Sequence, residues 1–253
     1  MFPIQDTIPS RHPPIAVVLL ILINSLAFLY ELKLSHAELE HFFYLFGIVP
    51  ARFTHPEWAA WIGFPVDSIR PFITSMFLHG GWVHIIGNMW TLWIFGDNVE
   101  DRMGPVRFVI FYILCGLTAG IVHWLLNAHS TLPTVGASGA IAGVMGAYFL
   151  MYPLARIVVM VPLLFIPFFF EVPAFFFLGF WALTQLSGGT SALGGPQQVG
   201  GIAWWAHVGG FVAGMVLSRL FIVDRRSLHE RIPRDLYGIE GAWQREGDWR
   251  RFR

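Results

Sequence analysis

A chain of 253 residues in which 55% of the residues are hydrophobic and only 13% are charged lacks the polar surface that covers a water-soluble globule, since soluble domains usually carry about 25% charged residues. Sixteen Lys and Arg residues balance sixteen Asp and Glu residues, so the formal net charge of zero indicates no nucleic-acid partner. The apolar residues form long blocks that are typical of membrane spans. Composition therefore predicts an all-α, polytopic membrane protein whose surroundings are a lipid bilayer.

In chain order, six apolar blocks predict six membrane-spanning helices, which places both chain ends on the same side of the membrane. The predicted spans lie at about 14–32, 72–95, 106–126, 138–153, 172–187 and 203–223. The segment 156–172 is also apolar, but Pro162, Pro167 and Pro173 interrupt it. Because each proline removes a backbone donor and crowds the preceding turn, we expect an interfacial or partly extended segment there, with Glu171 near an interface.

The segments outside the spans differ in character. The first loop, about 33–71, mixes aromatic, apolar and polar residues and is expected to form a lobe in the membrane interface. The loop 188–201 is rich in glycine and is expected to be mobile. The tail 224–253 is charged and polar. With no internal repeat or second domain visible, the sequence predicts one six-helix membrane domain over 1–223, followed by a cytoplasmic tail.

The distribution of Lys and Arg predicts the orientation, because cytoplasmic loops carry an excess of these residues. With a cytoplasmic N-terminus, the eight arginines of the tail and five others lie inside, and three basic residues lie outside. The five are Arg11, Arg102, Arg107, Arg156 and Arg219, and the three are Lys33, Arg52 and Arg70. Since the chain is small and shows neither an extra span nor a targeting sequence, we expect the plasma membrane of a prokaryote.

Unusual polar residues lie at similar depth in three of the predicted spans. Ser138 begins the fourth span, His207 lies near the start of the sixth, and His84 and Asn88 lie in the first half of the second. All three spans run inward from the outer face, so these residues form one layer and predict one site. His84 and Asn88 are one helical turn apart and share a face, whereas His79 points elsewhere and is expected to be structural, bonding loop backbone.

Small residues on the fourth and sixth spans predict that these two helices approach each other closely. Glycines recur at four-residue spacing, as Gly139 and Gly143 on the fourth span and as Gly210 and Gly214 on the sixth. Small residues at that spacing allow two helix backbones to come into contact. Such an approach is what His207 needs to reach Ser138.

These residue types predict nucleophilic catalysis. A serine hydroxyl becomes a good nucleophile when a neighbouring base removes its proton, and His207 can act as that base near neutral pH. The oxyanion that forms needs hydrogen-bond donors. The side chains of Asn88 and His84 can supply two, and the backbone N–H of Ser138, at the start of a helix, can supply a third. No acidic residue lies at this depth, so the sequence predicts a Ser–His dyad.

Three segments, GASG at 136–139, HGGWVHIIGN at 79–88 and AHVGGFVAG at 206–214, resemble the signature motifs of the rhomboid intramembrane serine proteases, in the same order. RPFIT at 70–74 and VEDRMG at 99–104 resemble two further elements of that family. The resemblance covers roughly 14–223. It implies a six-helix fold and cleavage of membrane proteins in or near their transmembrane segments.

The resemblance also implies a role for each matching residue. Ser138 is the expected nucleophile, His207 the general base, and His84 and Asn88 contributors to the oxyanion hole. Turn and packing roles are implied for Gly136, Gly210 and Gly214, and the loop 188–201 matches a lid over a water-filled site. The sequence departs from the family in two places, with Ala142 where some members stack an aromatic ring on the base, and Ile69 where a tryptophan is frequent.

Several alternatives remain open at this point. Ser138 alone could be a helix N-cap, and His84 with Asn88 could be hydrogen-bonding links between helices. A zinc site of His79, His84 and His207 is disfavoured by the lack of a nearby carboxylate and of an H-E-x-x-H motif. A transporter is a further alternative, but the sequence shows no inverted repeat and no intramembrane acid suited to ion coupling. A catalytically silent, client-binding relative of the proteases is the main rival, and neither a cofactor nor a metal is expected.

Overall fold

The computed structural model describes residues 2–65, 69–163, 166–193 and 202–223, and it is mainly helical. Six longer helices make up most of it, and short helices fill the first loop. The helices are α1 (Ile15–Glu31), α2 (His36–Phe46), α3 (Pro50–Thr54), α4 (Pro56–Trp61), α5 (Pro71–Thr74), α6 (Trp82–Met103), α7 (Pro105–Leu126), α8 (Ser138–Met151), α9 (Ala174–Leu193) and α10 (Trp204–Phe221).

Helix α8 lies at the centre of the bundle. Every residue from Gly139 to Tyr148 is buried, and α6, α7, α9 and α10 all contact this helix. A helix that is apolar on all sides is stable only when its whole circumference is covered. The small side chains of α8 allow its neighbours to lie close, which places the start of α8 inside the bundle.

The other long helices carry exposed apolar side chains on their outer faces. Leu183 on α9 is 65% exposed and Leu220 on α10 is 77% exposed. Further large exposed apolar residues on α1, α6 and α7 include Leu22, Leu26, Trp90, Trp93, Ile110 and Leu125. Large apolar side chains exposed in this number are unfavourable in water and favourable against lipid.

Helix length and apolar composition support membrane crossing for fewer of the helices. Among the helices of the described residues, α7 has both the length and the apolar composition of a span, and α1 and α8 are apolar but shorter. The prediction of six spans therefore stays a prediction at this stage.

The segment predicted as the second span, about 72–95, is not one continuous helix. It begins with α5 and a 3-10 turn at Ser75–Phe77, and α6 starts only at Trp82. The break occurs because Gly81 adopts a φ of +155°, which side chains other than glycine rarely tolerate. Helix α6 then continues to Met103, so most of the VEDRMG segment is helical and only Gly104, with a φ of +77°, makes the turn.

The all-α prediction misses a three-stranded antiparallel sheet of order β1-β2-β3, formed by β1 (Phe2–Asp6), β2 (Arg156–Leu163) and β3 (Ile166–Pro173). The prolines expected to prevent a helix lie in this hairpin, where Pro162 pairs with Pro167. Buried Ile157 and Val159 alternate with more exposed neighbours on β2, as a strand with one covered face requires. The partly extended segment anticipated at 156–172 is therefore present, whereas pairing of the N-terminus with it was not anticipated.

Glu171 lies at the protein surface, and its predicted place near a membrane interface stays a prediction. Glu171 pairs with Arg156 across β2 and β3 at 3.4 Å between the carboxylate and guanidinium atoms, and both side chains are about half exposed or more. An exposed pair of this kind contributes little to stability. Its position keeps the charge outside the apolar core.

The first part of the predicted glycine-rich loop is helical. Helix α9 runs to Leu193, so the residues up to that point are helical, and 194–201 lies outside the described residues. Gly188 and Gly189 allow the end of α9 to pack closely on α10, because a Cβ on Gly188 would meet the indole of Trp204 and one on Gly189 that of Trp205. The tail 224–253 also lies outside the described residues.

The first loop folds into a helical lobe. Arg52 is 1% exposed, and its guanidinium donates to the backbone carbonyls of Pro65 and Leu45. An isolated bridge between Ile48 and Thr134 joins this lobe to the segment that precedes α8. The lobe therefore helps to hold the approach to Ser138.

Candidate catalytic site

Ser138 and His207 are in hydrogen-bond contact. The Oγ atom of Ser138 lies 2.8 Å from Nε2 of His207, although the two residues are 69 positions apart. Ser138 is the first residue of α8 and makes no capping bond, since Ala137 occupies the N-cap position. The hydroxyl is therefore directed to the histidine rather than to its own helix.

Glycines allow the backbones of α8 and α10 to approach closely enough for this contact. A Cβ on Gly210 would overlap the carbonyl oxygen of Gly139, and one on Gly214 would overlap that of Gly143. No residue larger than glycine fits at these positions without a shift of a helix. The close approach places the first turn of α10, which carries His207, beside the start of α8.

The ring of His84 lies against Gly136, two residues before Ser138. Gly136 has a φ of +135°, and a Cβ there would lie 2.7 Å from Nε2 of His84 and 3.6 Å from Oγ of Ser138. The backbone N–H of Gly80 donates to Nδ1 of His84 at 3.3 Å. Because Nδ1 accepts this bond, the neutral ring carries its proton on Nε2, which faces the space next to Ser138.

Asn88 carries a buried donor without a partner. The residue is 8% exposed, and its Nδ2 atom has no hydrogen-bond acceptor within the part of the chain that the structure describes. Leaving a buried donor unpaired costs about 1–3 kcal/mol. Asn88 lies one turn after His84 on α6, so its amide is available to a ligand on the same helix face.

His79 contacts the site through His84. It is 1% exposed and lies in the break before α6, and its ring packs edge-on against that of His84 with centroids 5.1 Å apart. Its backbone N–H donates to the carboxylate of Glu31, at 3.1 and 3.3 Å. These contacts fix the loop that leads into α6.

The residue that sequence reasoning missed is Gln185. Its Oε1 atom lies 2.8 Å from Nδ1 of His207. The ring of Trp181, one turn earlier on α9, packs 5.8 Å from that of His207. Support for the histidine therefore comes from α9. This explains why α8 can carry Ala142 at the position where some family members have an aromatic ring. A polar Gln185 within the apolar run of α9 was the available signal.

The structure gives no support to the alternative zinc site of His79, His84 and His207 among the described residues. Among the residues described, no group of three or more His, Cys, Asp or Glu side chains is placed to hold a metal ion. Nε2 of His207 and Nδ1 of His84 are each engaged in a hydrogen bond within the protein.

Apolar outer helix faces define a helical membrane protein, and a serine–histidine pair lies inside its bundle. A family model described as the Rhomboid domain matches residues 67–223. The chain belongs to the rhomboid family. Members of this family are polytopic, helical, integral membrane proteins that act on transmembrane substrates in the bilayer.

Three relatives illustrate the similarity. Rhomboid-like protein 11, chloroplastic, of Arabidopsis thaliana is 34% identical over 104 residues, which are 41% of this chain and 34% of the relative. Rhomboid protein 1, mitochondrial, of Saccharomyces cerevisiae is 29% identical over 155 residues, or 60% and 41% of the two chains. Rhomboid protease GluP of Bacillus subtilis is 37% identical over 75 residues, or 30% and 14%.

The chain spans less than half the length of each of these relatives. The names of the first two place them in a chloroplast and in a mitochondrion, and the third comes from a bacterium. The chloroplastic and mitochondrial relatives do not favour the prokaryotic plasma membrane that the sequence led us to expect.

Proposed function

We propose that this rhomboid-family chain is an intramembrane serine endopeptidase that hydrolyses peptide bonds in or near the transmembrane segments of other membrane proteins. The observation that carries the proposal is the 2.8 Å separation between Oγ of Ser138 and Nε2 of His207. A base must be within hydrogen-bond reach of the proton that it removes. Both groups lie at the start of helices that the bundle holds in contact.

In the proposed reaction, Oγ of Ser138 attacks the carbonyl carbon of the scissile peptide as its proton passes to Nε2 of His207. The negative charge that develops on the carbonyl oxygen is stabilised by Nε2–H of His84, Nδ2–H of Asn88 and the backbone N–H of Ser138. Collapse of this intermediate breaks the C–N bond, and His207 returns the proton to the leaving amine. Water, activated by His207, then releases the acyl group from Ser138.

The proposal includes a membrane arrangement. Helices α1 and α6 to α10 are the six spans, residues 1–223 form the membrane domain, and both chain ends lie on the cytoplasmic side. The substrates are membrane proteins with a span that can unwind near the site. The residues of the proposed mechanism use neither a metal nor a cofactor.

The test uses the purified full-length chain in lipid vesicles with a single-span membrane protein as substrate. We expect cleavage by the native chain, resistance of that cleavage to a metal chelator, and its loss in Ser138→Ala and His207→Ala. Ser130→Ala is the matched control, because within the described residues the Ser130 hydroxyl bonds only to the backbone N–H of Leu132, in the loop before α8. Cleavage that persists in Ser138→Ala would refute the proposal.

A fluorophosphonate that reacts with activated serines provides a second measurement, which needs no substrate. We expect one adduct, on Ser138, and none in His207→Ala. A native chain that neither cleaves nor reacts would instead indicate a silent, client-binding member of the family.

A further inference from the structure

We propose that Gln185 is the positioning residue of the site, the neutral amide that holds His207 in the tautomer and orientation needed to deprotonate Ser138. The inference rests on the proposed protease function and adds a third member to the Ser–His pair. It arises from α9, a helix that contributes none of the residues predicted from the sequence.

The direction of the hydrogen bond from His207 follows from the chemistry at its other nitrogen. Nε2 must be free of a proton to accept one from Ser138, so Nδ1 of the neutral ring carries the N–H. Oε1 of Gln185 lies 2.8 Å from that Nδ1 and can accept its proton. With Gln185 only 7% exposed, water does not compete strongly for this bond, and the contact favours the tautomer that catalysis needs.

The amide of Gln185 is itself held in one orientation. Its Nε2 atom donates to Oγ1 of Thr184 at 3.0 Å and lies 3.4 Å from the carbonyl oxygen of Trp181. Both acceptors belong to α9, so the nitrogen end is satisfied on its own helix and the oxygen end faces His207. Rotating the amide by half a turn would place its oxygen against the carbonyl of Trp181 and break these bonds.

Trp181 adds steric support to the same ring. Trp181 and Gln185 are four residues apart and therefore lie on one face of α9. The indole packs beside the imidazole at an interplanar angle of 36°. Together the two side chains limit rotation of His207, the indole through contact and the amide through its hydrogen bond.

A neutral amide has a different effect from the carboxylate found in charged triads. It selects the tautomer of the histidine without adding a negative charge that would stabilise the imidazolium. Replacing Gln185 by leucine is therefore expected to lower kcat by about 10- to 100-fold with little change in KM. This is less than the roughly 10⁴-fold loss of kcat on replacing the aspartate of a Ser–His–Asp triad. Replacing Gln185 by glutamate should move the acid limb of the pH–rate profile upward by about one unit or more.

The experiment compares Gln185→Leu and Gln185→Glu with the native chain in lipid vesicles, and follows both substrate cleavage and fluorophosphonate labelling of Ser138 across pH. Leu183→Ala is the matched control, because Leu183 lies on the same helix with a 65% exposed side chain. We expect Leu183→Ala to behave like the native chain. An unchanged rate in Gln185→Leu together with an unmoved pH profile in Gln185→Glu would overturn the inference. If Gln185→Leu does not fold, the pH profile of Gln185→Glu decides alone.

A second readout separates this inference from the proposed function. Nitrogen NMR of the His207 ring in Ser138→Ala reports the tautomer without any need for activity, and we expect the proton on Nδ1. In the double variant with Gln185→Leu the two tautomers should become mixed. A native chain without protease activity would refute the proposed function, whereas an unchanged tautomer in the double variant would refute the role of Gln185.

Discussion

The carboxylate of Glu31, the last residue of α1, accepts the backbone N–H of His79, 48 positions further along the chain. Glu31 is 2% exposed and His79 is 1% exposed, so the bond joins two buried groups. It connects the end of α1 to the break before α6. His84, whose ring faces Ser138 across Gly136, packs directly on His79.

We therefore expect that Glu31→Leu destabilises the protein by about 1–3 kcal/mol, since it leaves the buried N–H of His79 unpaired. Labelling of Ser138 should slow as well, because the loop that positions His84 loses its anchor. Glu31→Gln keeps an acceptor of similar shape and serves as the control. Thermal unfolding and fluorophosphonate labelling measure the two effects, and equal behaviour of the two variants would show that the bond is unimportant.

Asn88→Ala should separate activity from stability. Loss of one oxyanion donor is expected to lower kcat by on the order of ten-fold or more. Thermal stability should fall little, because the Nδ2 atom of Asn88 makes no hydrogen bond within the described residues. Thr91→Ala is the control on the same helix, since its hydroxyl bonds only to the backbone of Gly87 in the part of the chain that the structure describes. Unchanged turnover in Asn88→Ala would remove Asn88 from the oxyanion hole.

Gly210→Ala should disrupt the contact between α8 and α10. The added Cβ would overlap the carbonyl oxygen of Gly139, and forced expansion of a packed interior typically costs about 1–3 kcal/mol. Activity should fall further than stability, because the separation of the helices moves His207 away from Ser138.

Gly87→Ala is the matched control for this change. Gly87 lies within α6, and a Cβ there would meet no atom of the described residues within 4 Å. Alanine is favoured over glycine in a helix interior by up to about 1 kcal/mol, so this variant should be as stable as the native chain or slightly more so. Cleavage assays and thermal unfolding in detergent compare the two, and full activity in Gly210→Ala would contradict the packing argument.

Asp6, the last residue of β1, is expected to make the free energy of unfolding depend on pH. Burial raises the pKa of the Asp6 carboxyl from an ordinary value of 3.8 to about 7, although the hydrogen bond from Tyr148 lowers it. In this range the folded protein keeps a proton on Asp6 that the unfolded chain has lost. The stability that the neutral carboxyl contributes is therefore lost as the pH rises from about 4 to about 7. Above about pH 7 the free energy of unfolding no longer changes on account of Asp6.

Asp6→Asn is the test of this dependence, because the amide resembles the protonated carboxyl and does not titrate. The variant should unfold at a temperature that changes less between pH 5 and pH 8 than that of the native chain, and it should be the more stable of the two at pH 8. Melting temperatures measured at a series of pH values compare the two proteins. Parallel curves would show that Asp6 does not hold its proton in the folded state.

Much of the architecture could be predicted from local patterns. Apolar blocks indicated the long helices, and the bounds of α7 and the start of α8 agree closely with the predicted 106–126 and 138–153. The proline spacing indicated an extended segment where the β2–β3 hairpin lies. The break before α6 was missed, because apolar residues lie on both sides of Gly81 and its positive φ is a property of the folded backbone.

The sequence by itself determined the membrane character of the chain and the residue types of the candidate site, because composition and short motifs report chemistry within a few turns of a helix. Tertiary structure decided which atoms meet. The approach of α8 to α10, the proton position on His84 and the bond from His207 to Gln185 depend on how helices rotate and pack against one another. Partners on different helices are set by contacts between distant parts of the chain, and no local pattern records the angle at which two helices face each other.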